Sequence, residues 1–189
     1  MAILVIFQWS ERQSKMKSTK WYVITGQPSS GKTTIIERLS EKGYRISEEV
    51  ARRFYLMLLK NQKENQILVD RMVLQKQILD IELARENCLN PNEVIFFDRA
   101  IPDSIAYYRM IGEIPEFVIK AAKRFRYQQI FFLEPLPFEV DGVRQEDAET
   151  ADILGRYIYD AYVELGYEIV RVPVLPVAER VEYILDRSC

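Results

Sequence analysis

Gly26-Gln27-Pro28-Ser29-Ser30-Gly31-Lys32-Thr33, with Thr34 behind it, is the stretch of this 189-residue chain whose spacing most plainly suits phosphate chemistry. Glycines at both ends of such a loop let successive backbone N–H groups turn inward, where they meet phosphate oxygens at the positive end of a helix. Lys32 then reaches the β- and γ-phosphates, and the Thr33 hydroxyl is placed to ligate Mg²⁺. The setting agrees with the motif, a P-loop: the apolar run Trp21-Tyr22-Val23-Ile24 precedes it and the helical pattern Thr33-Thr34-Ile35-Ile36-Glu37-Arg38-Leu39 follows. The chain has only 7 glycines, yet two stand where the motif requires them. A plain strand-to-helix turn would not need Lys32 and Thr33 as well. The expected ligand is a nucleoside triphosphate, cradled by Gly26 to Thr34.

The chain has no histidine, so acid–base work falls to carboxylates, lysine or a metal. Glu93-Val94-Ile95-Phe96-Phe97-Asp98 is an apolar run that ends in an acid, the Walker B pattern. In open α/β sheets ligands sit at the carboxyl ends of strands, which would put Asp98 beside the P-loop. There it would either hold Mg²⁺ through water or accept the proton of an acceptor hydroxyl. Arg99 would face the transferred or acceptor phosphate, or else form a solvated ion pair. Glu49 and Arg52, three apart at the start of a helix, share one face. They would bind and orient an acceptor, although acids in a first turn also simply suit the helix dipole. Asp141-Gly142-Val143-Arg144-Gln145 lies between a strand and a long helix, where a lid arginine, Arg144, would neutralise charge on the γ-phosphate. The bland alternative is an exposed turn that contains an arginine. Arg156 is a weaker second candidate.

Apolar runs of strand length alternate with helical patterns, which predicts an α/β fold with a mostly parallel sheet. Strands are expected at about 20–25, 44–46, 93–98, 129–133 and 168–172. Helices are expected from the P-loop to about 42, then at about 48–60, 63–87, 102–111, 114–125, 146–164 and 177–187. Gly43 and Gly166 read as helix-ending residues. These elements predict one domain, 20–189, with no linker or repeat, behind an N-terminal arm, 1–19. Met1 to Phe7 is apolar but lacks a signal peptide's basic start and cleavage site, and Met16 is a plausible natural start.

At 48% hydrophobic and a net charge of −2, the composition is that of an ordinary globular chain and carries no basic footprint for nucleic acid or membrane. Cys88 and Cys189 make neither a disulfide framework nor a metal spacing. A reducing cytoplasm is the default compartment. The sequence leaves the oligomeric state open.

Taken together, Gly26 to Thr34, Glu49-Val50-Ala51-Arg52, Phe97-Asp98-Arg99, Asp141-Gly142-Val143-Arg144 and the step Tyr162…Leu165-Gly166-Tyr167 resemble the P-loop kinase-like group. That group includes the nicotinamide riboside kinase domain of NadR and many AAA-type ATP-binding domains. The resemblance covers about residues 20–187, and its Asp98-Arg99 pair looks most like that of nucleoside and nucleotide kinases. It implies a P-loop NTPase three-layer sandwich with a five-stranded sheet. It also implies Mg-ATP-dependent phosphorylation of a small nucleoside-like acceptor, with Glu49 and Asp98 near the acceptor hydroxyls and Arg144 in the lid. No Asn-Lys-x-Asp guanine reader follows the fourth strand, which favours ATP over GTP and disfavours a signalling GTPase. The length disfavours a ring-forming motor. An NTP hydrolase and a nucleotide-gated protein-binding module remain the alternatives.

Overall fold

A computed structural model describes residues 16–50, 71–136 and 148–188. Most of the expected helix at 48–60, the start of the one at 63–87, Arg52, the lid segment with Arg144 and most of the N-terminal arm lie outside these described residues.

Five parallel strands form the centre of the molecule. In chain order, with the short β1 (Lys17–Ser18) and β5 (Phe125–Arg126) standing apart, they are β2 (Trp21–Thr25), β3 (Arg45–Ser47), β4 (Ile95–Asp98), β6 (Gln129–Leu133) and β7 (Ile169–Val172). Their spatial order is β3-β4-β2-β6-β7. The strands read as continuous apolar runs because both sheet faces are covered. Residues alternate between the two sides. Trp21, Val23, Ile95, Phe97, Ile130 and Phe132 pack with Leu154, Ile158 and Tyr162. Tyr22, Ile24, Phe96, Phe131, Leu133 and Val172 pack with Ile35, Ile36, Leu39, Val181 and Ile184. The result is a three-layer α/β sandwich, as expected.

The helices are α1 (Lys32–Glu41), α2 (Arg71–Cys88), α3 (Asp103–Ile111), α4 (Glu116–Ala122), α5 (Ala148–Glu164) and α6 (Val177–Leu185). Gly43, at φ 89°, and Gly166, at φ 75°, end α1 and α5 in the left-handed conformation, as the sequence predicted. The helix expected to run to 125 stops at Ala122 instead. Phe125–Arg126 forms β5, which pairs in parallel with β1, and Thr19 Oγ1 donates to Arg126 O at 3.0 Å. The ladder partner is distant in sequence, so helical periodicity at 114–125 could not foretell it. No described helix is long and apolar enough to cross a membrane.

Candidate functional site

The carboxyl ends of β2, β3 and β4 converge beside the P-loop. Gly26 leaves β2 at φ 140°, and a Cβ there would lie 2.8 Å from Leu133 O. Only glycine lets the loop pass that close to the end of β6. Ser29 adopts φ 68° and Gly31 φ 84°. A non-glycine residue in the left-handed region costs about 1–3 kcal/mol and typically marks a functional turn. Gly31 caps α1, so Lys32 is the helix's first residue. The buried Lys32 Nζ donates to Gln27 O at 2.6 Å and to Ser30 Oγ at 3.2 Å, placing its charge across the loop. Burial and then the Arg99 guanidinium lower its pKa to about 7, against the opposing pull of Asp98, Glu49 and Asp103. Anionic phosphate oxygens would reverse that balance. Thr33 and Thr34 are exposed at the helix start.

Asp98 ends β4 opposite Ile24 of β2 and is 5% exposed. Among the described residues, its buried Oδ1 has no hydrogen-bond partner. Burial, then the Glu49 charge, push the carboxyl up to about 6, while Arg99 and Lys32 pull the other way. A buried carboxylate oxygen with no donor calls for a cation or an incoming hydroxyl. Together with the exposed Thr33 hydroxyl, it is a hard oxygen donor set of the kind Mg²⁺ takes. No cluster of three or more histidine, carboxylate or cysteine ligands occurs among the described residues.

Arg99 turns the chain at φ 61°. Its Nη1 donates to Asp103 Oδ1 at 2.9 Å, and its Nε lies 3.2 Å from Glu49 Oε1. The arginine is buried, not solvated, and it fixes Glu49 at the mouth of the site. Asp103 was not singled out from the sequence, yet it is the hub. It also accepts from Thr25 Oγ1 at 2.6 Å, Tyr162 OH at 2.6 Å and Ala100 N at 3.3 Å. Its spacing, four residues after Arg99 in the first turn of a helix, was a legible signal.

Two further groups escaped sequence reasoning. Glu82 and Glu86 lie one turn apart on α2 and are both buried. Burial raises their pKa values to about 7 and about 8. Ser104 Oγ donates to Glu82 at 3.3 Å, and Tyr127 OH donates to both Glu86 oxygens. They share the buried face of α2 with Ile78 and Leu79, and the apolar spacing of that face gave no role to the two acids on it. Arg180 of α6 reaches the P-loop from below, donating to Ser30 O at 2.9 Å. A lone arginine in an amphipathic helix gives no warning of this. Arg156 is exposed and lines a cavity of about 410 Å³ with Gln27, Gly155, Tyr159 and Arg171.

Solved structures with this fold include a NadR protein, a deoxyadenosine kinase and a thymidylate kinase. A NadR protein crystallised with NR is 19% identical over 89% of this chain, at a TM-score of 0.68. This chain spans 50% of that protein. Deoxyadenosine kinase from M. mycoides is 16% identical, covering 88% of this chain and 97% of its own, at 0.61. Thymidylate kinase from Ehrlichia chaffeensis is 14% identical, covering 90% and 98%, at 0.62. No curated protein sequence matches the chain. A family model described as "AAA domain" matches residues 21–180, from the strand that enters the P-loop to the arginine beneath it. The chain is a P-loop protein of kinase-like fold and belongs to that AAA domain family.

Proposed function

We propose that the protein is an Mg-ATP-dependent phosphotransferase acting on a small nucleoside- or nucleotide-like acceptor. The observation that carries this reading is the buried, hydrogen-bond-free Asp98 Oδ1 beside a P-loop lysine. Gly26 to Thr34 would hold the triphosphate, with backbone N–H groups and Lys32 on the β- and γ-phosphates. Mg²⁺ would be held by the Thr33 hydroxyl and Asp98, supplying neutralisation of charge on the transferred group. Glu49, fixed by Arg99 at the mouth of the site, would face the acceptor hydroxyl. As that oxygen bonds to the γ-phosphorus and the β,γ-bridging oxygen leaves with ADP, Glu49 would take the hydroxyl proton. Arg52 would orient the acceptor and Arg144 would meet the γ-phosphate; these two assignments rest on sequence position.

The test is transfer of labelled γ-phosphate from Mg-ATP, and in parallel Mg-GTP, to a panel of nucleosides and nucleoside monophosphates that includes nicotinamide riboside. Lys32→Ala is the control. A labelled product that depends on one acceptor, and is lost in the control, is the expected result. Free phosphate alone would replace the kinase with a hydrolase. Tight nucleotide binding without turnover across the panel would replace it with a nucleotide-gated binding module.

A further inference from the structure

Arg180 is 2% exposed and sits against the backbone of the phosphate loop. Its guanidinium fork spans two backbone carbonyls from separate parts of the site. Nη1 donates to Ser30 O inside the loop at 2.9 Å, and Nη2 donates to Glu134 O, just past the end of β6, at 3.0 Å. A Cβ on Gly31 would stand 3.4 Å from Nη1, so the guanidinium sits directly against the Ser30–Gly31 peptide. The Glu134 carboxylate is turned elsewhere and receives Arg171 Nε at 2.6 Å. Among the described residues, no carboxylate forms an ion pair with Arg180.

The geometry of a peptide unit gives these contacts a consequence. No cis peptide occurs among the described residues, and in a planar trans peptide the C=O and the following N–H point in opposite directions. An arginine that pulls the Ser30 carbonyl down therefore aims the Gly31 N–H up, toward the phosphate cradle. A charge-assisted hydrogen bond on the carbonyl also polarises the peptide and strengthens its N–H as a donor. The second prong ties the same loop to the end of β6, the strand whose Leu133 carbonyl already packs against Gly26.

On the reading that this loop binds a nucleoside triphosphate, we infer that Arg180 is a positioning residue for that ligand. It holds the Ser30–Gly31 peptide in its phosphate-binding orientation and adds positive charge beside the cradle, with the Glu134 carboxylate as the counter-charge that acts on its pKa. The role is distinct from that of Lys32, because Arg180 acts only through the backbone.

The experiment uses the full chain with Arg180→Lys, Arg180→Gln and Arg180→Ala. Affinity for Mg-ATP is measured by calorimetry, and thermal unfolding is recorded without nucleotide. Lysine keeps the charge but reaches one carbonyl; glutamine reaches one carbonyl without the charge. Loss of a hydrogen bond to a charged donor is worth about a tenfold to hundredfold change in affinity. We expect Arg180→Lys to weaken Mg-ATP binding by about tenfold and Arg180→Gln by more, while Arg180→Lys unfolds close to the wild-type temperature. Free guanidinium at low millimolar concentration should restore part of the affinity of Arg180→Ala, and methylammonium less. Affinity of Arg180→Lys within about twofold of wild type would overturn the inference. So would a loss that tracks falling stability and that guanidinium does not repair. A wild-type chain that binds no triphosphate would overturn the functional reading along with it, whereas unaffected binding by the variants would remove this inference alone.

Discussion

Glu86→Gln should make the protein more stable relative to wild type as pH rises, and the size of the effect follows from how the carboxyl is buried. Glu86 has no exposed surface, and burial pushes its pKa up to about 8, against the Tyr127 hydrogen bond and the Arg85 charge. A carboxyl with a raised folded-state pKa binds its proton more tightly in the folded chain than in the unfolded one. Its contribution to stability is complete below the unfolded value, near 4.5, and is lost as pH climbs through about 8. Each unit of displacement corresponds to about 1.4 kcal/mol, so the loss between pH 5 and pH 8 approaches about 4 kcal/mol as an order of magnitude. Glutamine cannot ionise and keeps an oxygen to accept from Tyr127. Urea unfolding of wild type and Glu86→Gln at half-unit steps from pH 5 to 8 isolates this group in the difference curve. That difference should be small or unfavourable to the variant at pH 5 and should favour it progressively toward pH 8. Two parallel curves would refute the reasoning and show that Glu86 is ionised in the folded protein. Glu82, raised to about 7, leaves a residual slope of the same sign in the variant below pH 7. Above that, Lys32, lowered to about 7, acts in the opposite direction.

With Asp98 holding Mg²⁺, Asp98→Asn should weaken Mg-ATP binding along with turnover, whereas a loss of kcat at unchanged Kd would assign it to the acceptor hydroxyl instead. Gly155→Ala replaces a helix glycine, worth about 1 kcal/mol in helix propensity, yet its new Cβ would stand 2.8 Å from Gln27 Cβ in the P-loop. Calorimetry should therefore show weaker Mg-ATP binding without the expected gain in unfolding temperature, and a stabilised variant with native affinity would contradict that packing. Tyr162→Phe removes a 2.6 Å donor to buried Asp103, and thermal unfolding should report a loss of about 1–3 kcal/mol; an unchanged midpoint would mean that Asp103 is already satisfied by Thr25 and Arg99.

The fold was legible because it rests on short-range signals. The P-loop glycines sit at positive φ, and the central apolar runs became β2, β4 and β6, strands buried on both faces. Glycines ended helices where the sequence placed them. Asp98 and Glu49 came together because both follow strands whose carboxyl ends share one edge of the sheet. What stayed hidden depended on contacts between residues distant in sequence. Thr19 with Arg126, Tyr162 with Asp103 and Arg180 with Ser30 are separated by 107, 59 and 150 positions. No local pattern encodes such pairs. Arg99 shows the limit from the other side: its motif was visible, but its burial and its grip on Glu49 and Asp103 were not.

Asp103 explains how so few motif residues can define a working geometry. Its carboxylate gathers Thr25 from β2, Arg99 from the end of β4 and Tyr162 from α5, so the strand that feeds the P-loop is tied to the turn that carries Asp98. Arg99 extends the frame to Glu49 past β3, and Arg180 extends it from α6 to the loop itself. Such a frame fixes the phosphate and the transfer groups with respect to the sheet while saying little about the acceptor. A NadR protein, a deoxyadenosine kinase and a thymidylate kinase keep the same fold at 14–19% identity to this chain. The buried side-chain contacts that Asp103 makes, at 2.6–2.9 Å, form one network, so losing any one of them should disturb the others.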